Sequence, residues 1–272
     1  MAYALPDSID APVLLTGRGG SGTRMLSQIA ERIGLFLGSA ANKSGDSTEW
    51  VPLVYRMVAE EGGGRELPTG SSYRGALREQ AQRVLSRAPR RGSRPWGLKL
   101  PETMLVLPLL IDAFPQAKVV HLIRHPVTSS LRRTHMSSRL NNPVGAVTLP
   151  AAYRYAERDV DLIASDEPYL HNAYSWNFQV RRVARYGRAT LGDGRYLEIA
   201  YEDVCSEPAR VASTIGAFLG WTGEDVGAIP VDASRSGDWD PDDPRVEPVW
   251  RICGETAMLL RYRRDTATRS PS

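Results

Sequence analysis

A chain of 272 residues, 42% hydrophobic and 24% charged, can bury a substantial core without disulfide or metal staples. Two cysteines, Cys205 and Cys253, exclude a disulfide framework and a four-ligand zinc site, and point to a reducing, cytoplasmic setting. A net charge of +3 is too small for a nucleic-acid coat, and the longest apolar stretch, 104–114, is too short for a bilayer and carries Pro108 and Asp112.

The opening residues lack the basic and apolar regions of a secretion signal, so neither export nor membrane insertion is expected. Arginine makes up 31 of the 34 basic residues. That fits arginine-favouring codon usage, and it equally fits forked guanidinium groups around a phosphate or sulfate. The ratio alone does not decide.

The first element is a short apolar run, 12–16, read as a buried parallel strand. A loop at 17–22 follows. Then Met25, Leu26, Ile29, Ala30 and Ile33 recur at helical spacing up to Gly34. Strand, glycine loop and helix together open an α/β nucleotide-binding unit.

Further along, 73–86 reads as a solvated surface helix. Residues 118–123 form a second strand, followed by a helix running to about Arg139. A third strand occupies 195–200, and a helix spans 208–219 before Gly220. Alternating strands and helices predict a central parallel sheet covered on both faces, in three α/β/α layers and a single domain over 1–272. Residues 238–248, with three prolines and four aspartates, read as an irregular loop, and 266–272 as a frayed tail.

Six of the eight residues from Gly17 to Arg24 are Gly, Ser or Thr. Glycines allow the tight curl that points successive N–H groups at an anion, and the following helix adds its positive end. Gly17 and Gly22 have Walker-loop spacing, but Thr23-Arg24 stands where Lys-Ser/Thr would be. The second strand ends in Arg124 and not in a metal-binding Asp, so an ordinary ATP or GTP phosphotransferase lacks two of its parts.

Gly17-Arg-Gly-Gly-Ser-Gly-Thr-Arg24 after the first strand, with Val119-Val-His-Leu-Ile-Arg-His-Pro126 before a later helix, resembles the sulfotransferases. That family uses 3′-phosphoadenosine 5′-phosphosulfate (PAPS) and leaves adenosine 3′,5′-bisphosphate (PAP). Tyr201-Glu-Asp-Val204, Glu207-Pro208 and Phe218-Leu-Gly220 look like its later Tyr-Glu-Asp-Leu block, and Ser234-Arg-Ser-Gly-Asp-Trp239 like its cofactor-closing loop. The resemblance implies a P-loop-like sulfotransferase fold with PAPS as cofactor and no metal. It makes Arg18, Gly19, Gly20, Ser21, Gly22, Thr23 and Arg24 the 5′-phosphosulfate loop. Arg124 with Ser130 or Arg132 (Ser129 being a further candidate), Tyr201, and Arg235 with Gly237 would serve the 3′-phosphate and its surroundings.

Two positions depart from the family pattern. Gly20 stands where Lys or Arg is usual, leaving Arg18 or Arg24 to supply the charge, and Arg132 replaces a serine.

Sulfuryl transfer needs donor and acceptor in line, stabilised oxygens, and a base for the acceptor proton. The resemblance places that base at Glu102, 22 residues before Arg124. Lys99 and Arg18 are the companion catalytic candidates. Read alone, Glu102 serves equally as a helix-capping acid. His121 reads as a packed strand residue, His125 adjoins Arg124, and His135 and His171 are lesser candidates for the base.

Residues 42–50 and 169–177 are expected to build the acceptor site, for a small molecule or carbohydrate offering a hydroxyl or amine. Neither nucleic acid nor membrane is an expected partner. The rivals are an atypical P-loop kinase using Arg24, and a non-catalytic nucleotide-binding protein.

Overall fold

Four consecutive buried residues make Val13–Thr16 the strand β1, and its neighbours fix how the rest of the chain folds round it. A computed structural model describes residues 9–88, 95–221 and 239–269. After β1 come α1 (Arg24–Arg32), α2 (Val51–Glu61), α3 (Arg74–Leu85), β2 (Gly97–Lys99), α4 (Leu107–Ala113) and β3 (Lys118–Ile123). Next are α5 (Pro126–Leu131), α6 (Pro143–Tyr155), α7 (Pro168–Tyr186), β4 (Tyr196–Ala200), α8 (Tyr201–Ser206) and α9 (Pro208–Leu219). The described chain closes with α10 (Val246–Leu259), β5 (Tyr262–Arg263) and β6 (Thr266–Arg269).

The sheet is four-stranded among the described residues, in the order β2-β1-β3-β4 with every pair parallel. Period-two alternation sorts its side chains to two faces. Val13, Leu15, Val120, Leu122 and Ile199 pack with α1 and α9 through Leu26, Ile29, Val211 and Ile215. Leu14, Leu98, Val119 and Ile123 face the larger core with α2, α3, α4, α6, α7 and α10, centred on Trp50, Phe114, Trp176 and Phe178. This is the expected α/β/α sandwich with a central parallel sheet. From β1 the chain crosses to β2 on one side, while β3 lies on the other. The carboxyl ends of β1 and β3 therefore flank the switch point where open sheets bind ligands.

Several boundaries differ from the sequence reading. The helix after Pro126 stops at Leu131, well short of Arg139, because Asn172 Nδ2 donates to the carbonyls of Ser130 and Arg132 at 3.1 and 3.2 Å. A separate 3₁₀ turn, Met136–Ser138, follows, capped by the His135 ring accepting from the Ser137 amide. Within the stretch read as a loop, α10 begins at Val246, since Pro248 sits in its first turn where no backbone donor is required. Residues 266–269 pair with β5 as a strand, and Arg269 lies 4.7 Å over the Tyr262 ring. The edge strand β2 is too short, at three residues, to show a period. The surface helix at 73–86 is α3, which buries Leu77, Ala81 and Val84. No helix among the described residues is long and apolar enough to cross a membrane.

Candidate active site

At the end of β1 the chain turns through the glycine loop, with the Ser21 amide donating to the Arg18 carbonyl at 2.9 Å. Gly20 and Gly22 have φ of +88° and +90°, the left-handed region that residues with a Cβ avoid. A Cβ on Gly22 would also lie 2.2 Å from the Tyr201 ring. Gly20 is exposed with open space round it. At Gly20 the loop therefore holds a conformation that a side chain would adopt only at a cost, whatever the open space round it.

The Arg18 side chain supplies charge from beneath the loop. It is 2% exposed, and its guanidinium donates to Ser138 Oγ at 2.9 Å, Asn172 Oδ1 at 2.8 Å and the Gly19 carbonyl at 3.3 Å. All three acceptors are neutral, and burial lowers the Arg18 pKa to about 10. Such a cation gains from an anionic ligand. Arg24 is exposed at the start of α1.

At the end of β3, Arg124 is 2% exposed and lies 4.2 Å over the Tyr201 ring, while Trp176 Nε1 donates to its carbonyl at 2.9 Å. The next peptide is held by Glu202, whose Oε1 accepts from the His125 amide at 2.8 Å. Glu202 Oε2 accepts from the Tyr262 hydroxyl at 2.9 Å, and that hydroxyl lies 3.2 Å from the Ile123 carbonyl. Burial pushes the Glu202 carboxyl up, with these donors working against it.

The two loops face one cavity of about 560 Å³. Arg18, Gly19, Gly20, Gly22, Thr23, Arg24, Lys99, Arg124, Arg132 and Tyr201, all singled out in the sequence, line it together. Ser129 also lies on the wall, whereas Ser130 is fully buried and off it, as is Ser21. The buried hydroxyls of Ser21, Ser129 and Ser130 have no hydrogen-bond partner among the described residues, and of the three only Ser129 lies on the cavity wall. Arg235 and Gly237 lie outside the described residues.

Sequence reasoning missed Arg133, Thr134 and Met136 on this wall, and Ser44 and Asp46 were reached only as part of 42–50. The cue for 132–136 was hidden because that stretch was read as helix.

Lys99, 1% exposed at the end of β2, makes an ion pair with Asp46 at 2.5 Å and donates to the Ser44 carbonyl at 3.0 Å. Burial lowers its pKa, with Asp46 opposing. Glu102 lies three residues past β2 in the 3₁₀ turn Pro101–Leu105, 8% exposed and hydrogen-bonded to Tyr55. Burial raises its pKa, and Asp46 adds to the rise. It is not among the residues lining the cavity, although Pro101 is.

The segment 169–177 supports the site from behind and does not line it: Asn172 holds Arg18, Trp176 holds Arg124, and Asn177 accepts from Thr256. His121 is fully buried against the Tyr196 hydroxyl at 2.7 Å, the packed residue expected. His125 stacks on Trp239 with ring centroids 4.3 Å apart, and His171 bonds the Ile163 carbonyl. His135 lies on the cavity wall against Gly19, with its pKa lowered to about 4 by burial and by Arg18.

The profile of the sulfotransferase family matches residues 12–225. Among solved structures, a sulfotransferase from Alicyclobacillus acidocaldarius is 15% identical with a TM-score of 0.52, over 93% of this chain and 96% of that one. Sulfotransferase STF9 from Mycobacterium avium is 14% identical with a TM-score of 0.56, over 95% and 78%. At such identities these structures speak for the fold alone. No curated protein matches the sequence. The family profile, spanning both loops of the cavity, settles the assignment: the chain belongs to the sulfotransferase family.

Proposed function

We propose that this chain transfers the sulfuryl group of PAPS to a hydroxyl, or an amine, of a small-molecule or carbohydrate acceptor. The observation that carries this reading is the convergence of the glycine loop and Arg124 on one cavity, whose wall holds the Ser129 hydroxyl, buried and without a partner among the described residues. The donor set fits a nucleotide with anionic groups at two places: the 18–24 loop for the 5′-phosphosulfate, and Arg124 with Ser129, Ser130 or Arg132 for the 3′-phosphate. Tyr201 packs against both, through Gly22 and Arg124. Arg235 and Gly237 complete the 3′-phosphate set on the family pattern.

PAPS, when bound, supplies an activated sulfuryl group whose bond to the 5′-phosphate oxygen breaks as the acceptor atom bonds sulfur. Lys99 and Arg18 place positive charge where oxygens gain negative charge, which favours the transition state over the ground state. Glu102 takes the acceptor proton. Burial holds its carboxyl above the ordinary range, which strengthens it as a base near neutral pH.

Thermal shift tests the donor, since a ligand of the native state raises Tm. Stabilisation by PAP but not by ADP with magnesium is expected, together with passage of labelled sulfate from PAPS to an acceptor in extracts of the source cell. Stabilisation by ADP–magnesium alone would replace this reading with a kinase. Nucleotide binding with no label ever leaving PAPS would make the chain a non-catalytic binder.

A further inference from the structure

The loop 41–47 is bonded more tightly than a surface connection requires. Ala41 and Ser47 form an antiparallel bridge, and Asn42 Oδ1 accepts from the amides of Ser44 and Asp46 at 2.8 and 3.0 Å. Ser27 Oγ donates to the Gly45 carbonyl at 3.0 Å. The loop is stitched to β2 on both sides of Ser47: its amide donates to the Lys99 carbonyl at 2.8 Å, and its hydroxyl accepts from the Lys99 amide at 3.0 Å.

All this bonding serves one carboxylate. Asp46 Oδ2 accepts from Asn42 Nδ2 at 2.7 Å, which leaves Oδ1 facing Lys99 Nζ at 2.5 Å. Two of the three ammonium donors are taken, by Asp46 and by the Ser44 carbonyl. The third has no partner among the described residues, and Lys99, Asp46 and Ser44 all line the cavity. A buried ammonium is costly without a fixed counter-charge. The charged groups facing it are Asp46 from this loop, Glu102 from the 3₁₀ turn and Arg24 from α1.

We propose that Asp46 is a positioning residue for sulfuryl transfer, holding the Lys99 ammonium charged and fixed on the cavity wall for the sulfuryl group of the donor. The inference rests on the donor reading above. Asp46 itself does not react. It acts through Lys99, and its loop sets where the third N–H points.

Calorimetric titration of the full chain with PAP and with PAPS, from pH 7 to pH 10, tests this on wild type, Asp46→Asn and Asp46→Glu. PAP lacks the sulfuryl group, so it reports the nucleotide site, and the ratio of PAPS to PAP affinity reports Lys99. Wild type is expected to prefer PAPS, losing that preference as pH rises through the Lys99 titration. Asp46→Asn should bind PAP within about twofold of wild type yet lose about tenfold of the preference, the worth of one charge-assisted contact. The remaining preference should disappear at lower pH, because removing the counter-charge lowers the Lys99 pKa further. Asp46→Glu should restore both. An Asp46→Asn protein that keeps the preference and its pH profile overturns the proposal while leaving the donor reading intact. Wild type binding neither nucleotide overturns the donor reading, and this inference with it.

Discussion

Arg124→Ala separates the two anion subsites of the cavity. Arg124 is 2% exposed and its guanidinium lies 4.2 Å from the Tyr201 ring, so its position is fixed before any ligand arrives. A hydrogen bond to a charged group contributes about 1.5–3 kcal/mol, and a guanidinium commonly meets a phosphate through two. Allowing for partial non-additivity, the substitution should weaken PAP by about 2–4 kcal/mol, roughly 30- to 700-fold. The ring contact is made without any ligand, so its loss should appear in Tm. Calorimetry with PAP and with adenosine 5′-monophosphate, which lacks the 3′-phosphate, gives the contrast. PAP should weaken by the stated factor while adenosine 5′-monophosphate is unchanged. Equal weakening of both ligands, or of neither, would show that Arg124 does not hold the 3′-phosphate.

Glu102→Gln should cut turnover by about 10²-fold or more at unchanged PAP affinity, since a general base contributes on that order. Because burial raises the Glu102 pKa, the carboxylate is present only above the raised value, so wild-type turnover should fall on acidification at a pH above the usual carboxylate range. A kcat–pH profile with no acid limb above that range would remove Glu102 from the role. Gly20→Lys restores the family-like cation but forces a side chain onto φ +88°. It should cost about 1–2 kcal/mol in a urea titration, and an equally stable variant would refute the conformational account of Gly20. Burial depresses the pKa values of His121 and His125 to about 4, so each stays neutral in the fold below the unfolded value. Their contribution is complete above about pH 6.5 and is lost as pH falls toward the folded value, about 1–2 kcal/mol per histidine between pH 7 and pH 5. Stability that does not change over that window, measured by denaturant unfolding, would contradict it.

The two loops that meet at the cavity were legible because their signals are local. A glycine run between an apolar run and a helical period leaves few alternatives, and Arg124 stands directly after the second apolar run. Ligand-facing and structural side chains were harder to tell apart. Asn172 and Trp176 looked like acceptor contacts, yet they bond Arg18 and the Arg124 carbonyl from the far side of the wall. Nothing in their spacing reveals which way α7 turns them. Asp46 joins the site through a contact 53 residues away in sequence, a pairing that no local pattern encodes. The short helix α5 ends where Asn172 caps it, again by a long-range bond and not by a Gly or Pro stop. Ser129 and Ser130 differ only in which of two neighbouring hydroxyls the turn presents to the cavity, and that orientation belongs to the backbone.

Glu202 ties the peptide after Arg124 to the Tyr262 hydroxyl of the β5–β6 hairpin. The cavity wall at Arg124 and the carboxyl-terminal end of the described chain therefore share a single buried carboxylate as their hinge pin. An alteration at Tyr262, some 140 positions downstream of the strand it steadies, would register first as a loosened Arg124 on the cavity wall, long before the sandwich itself came apart.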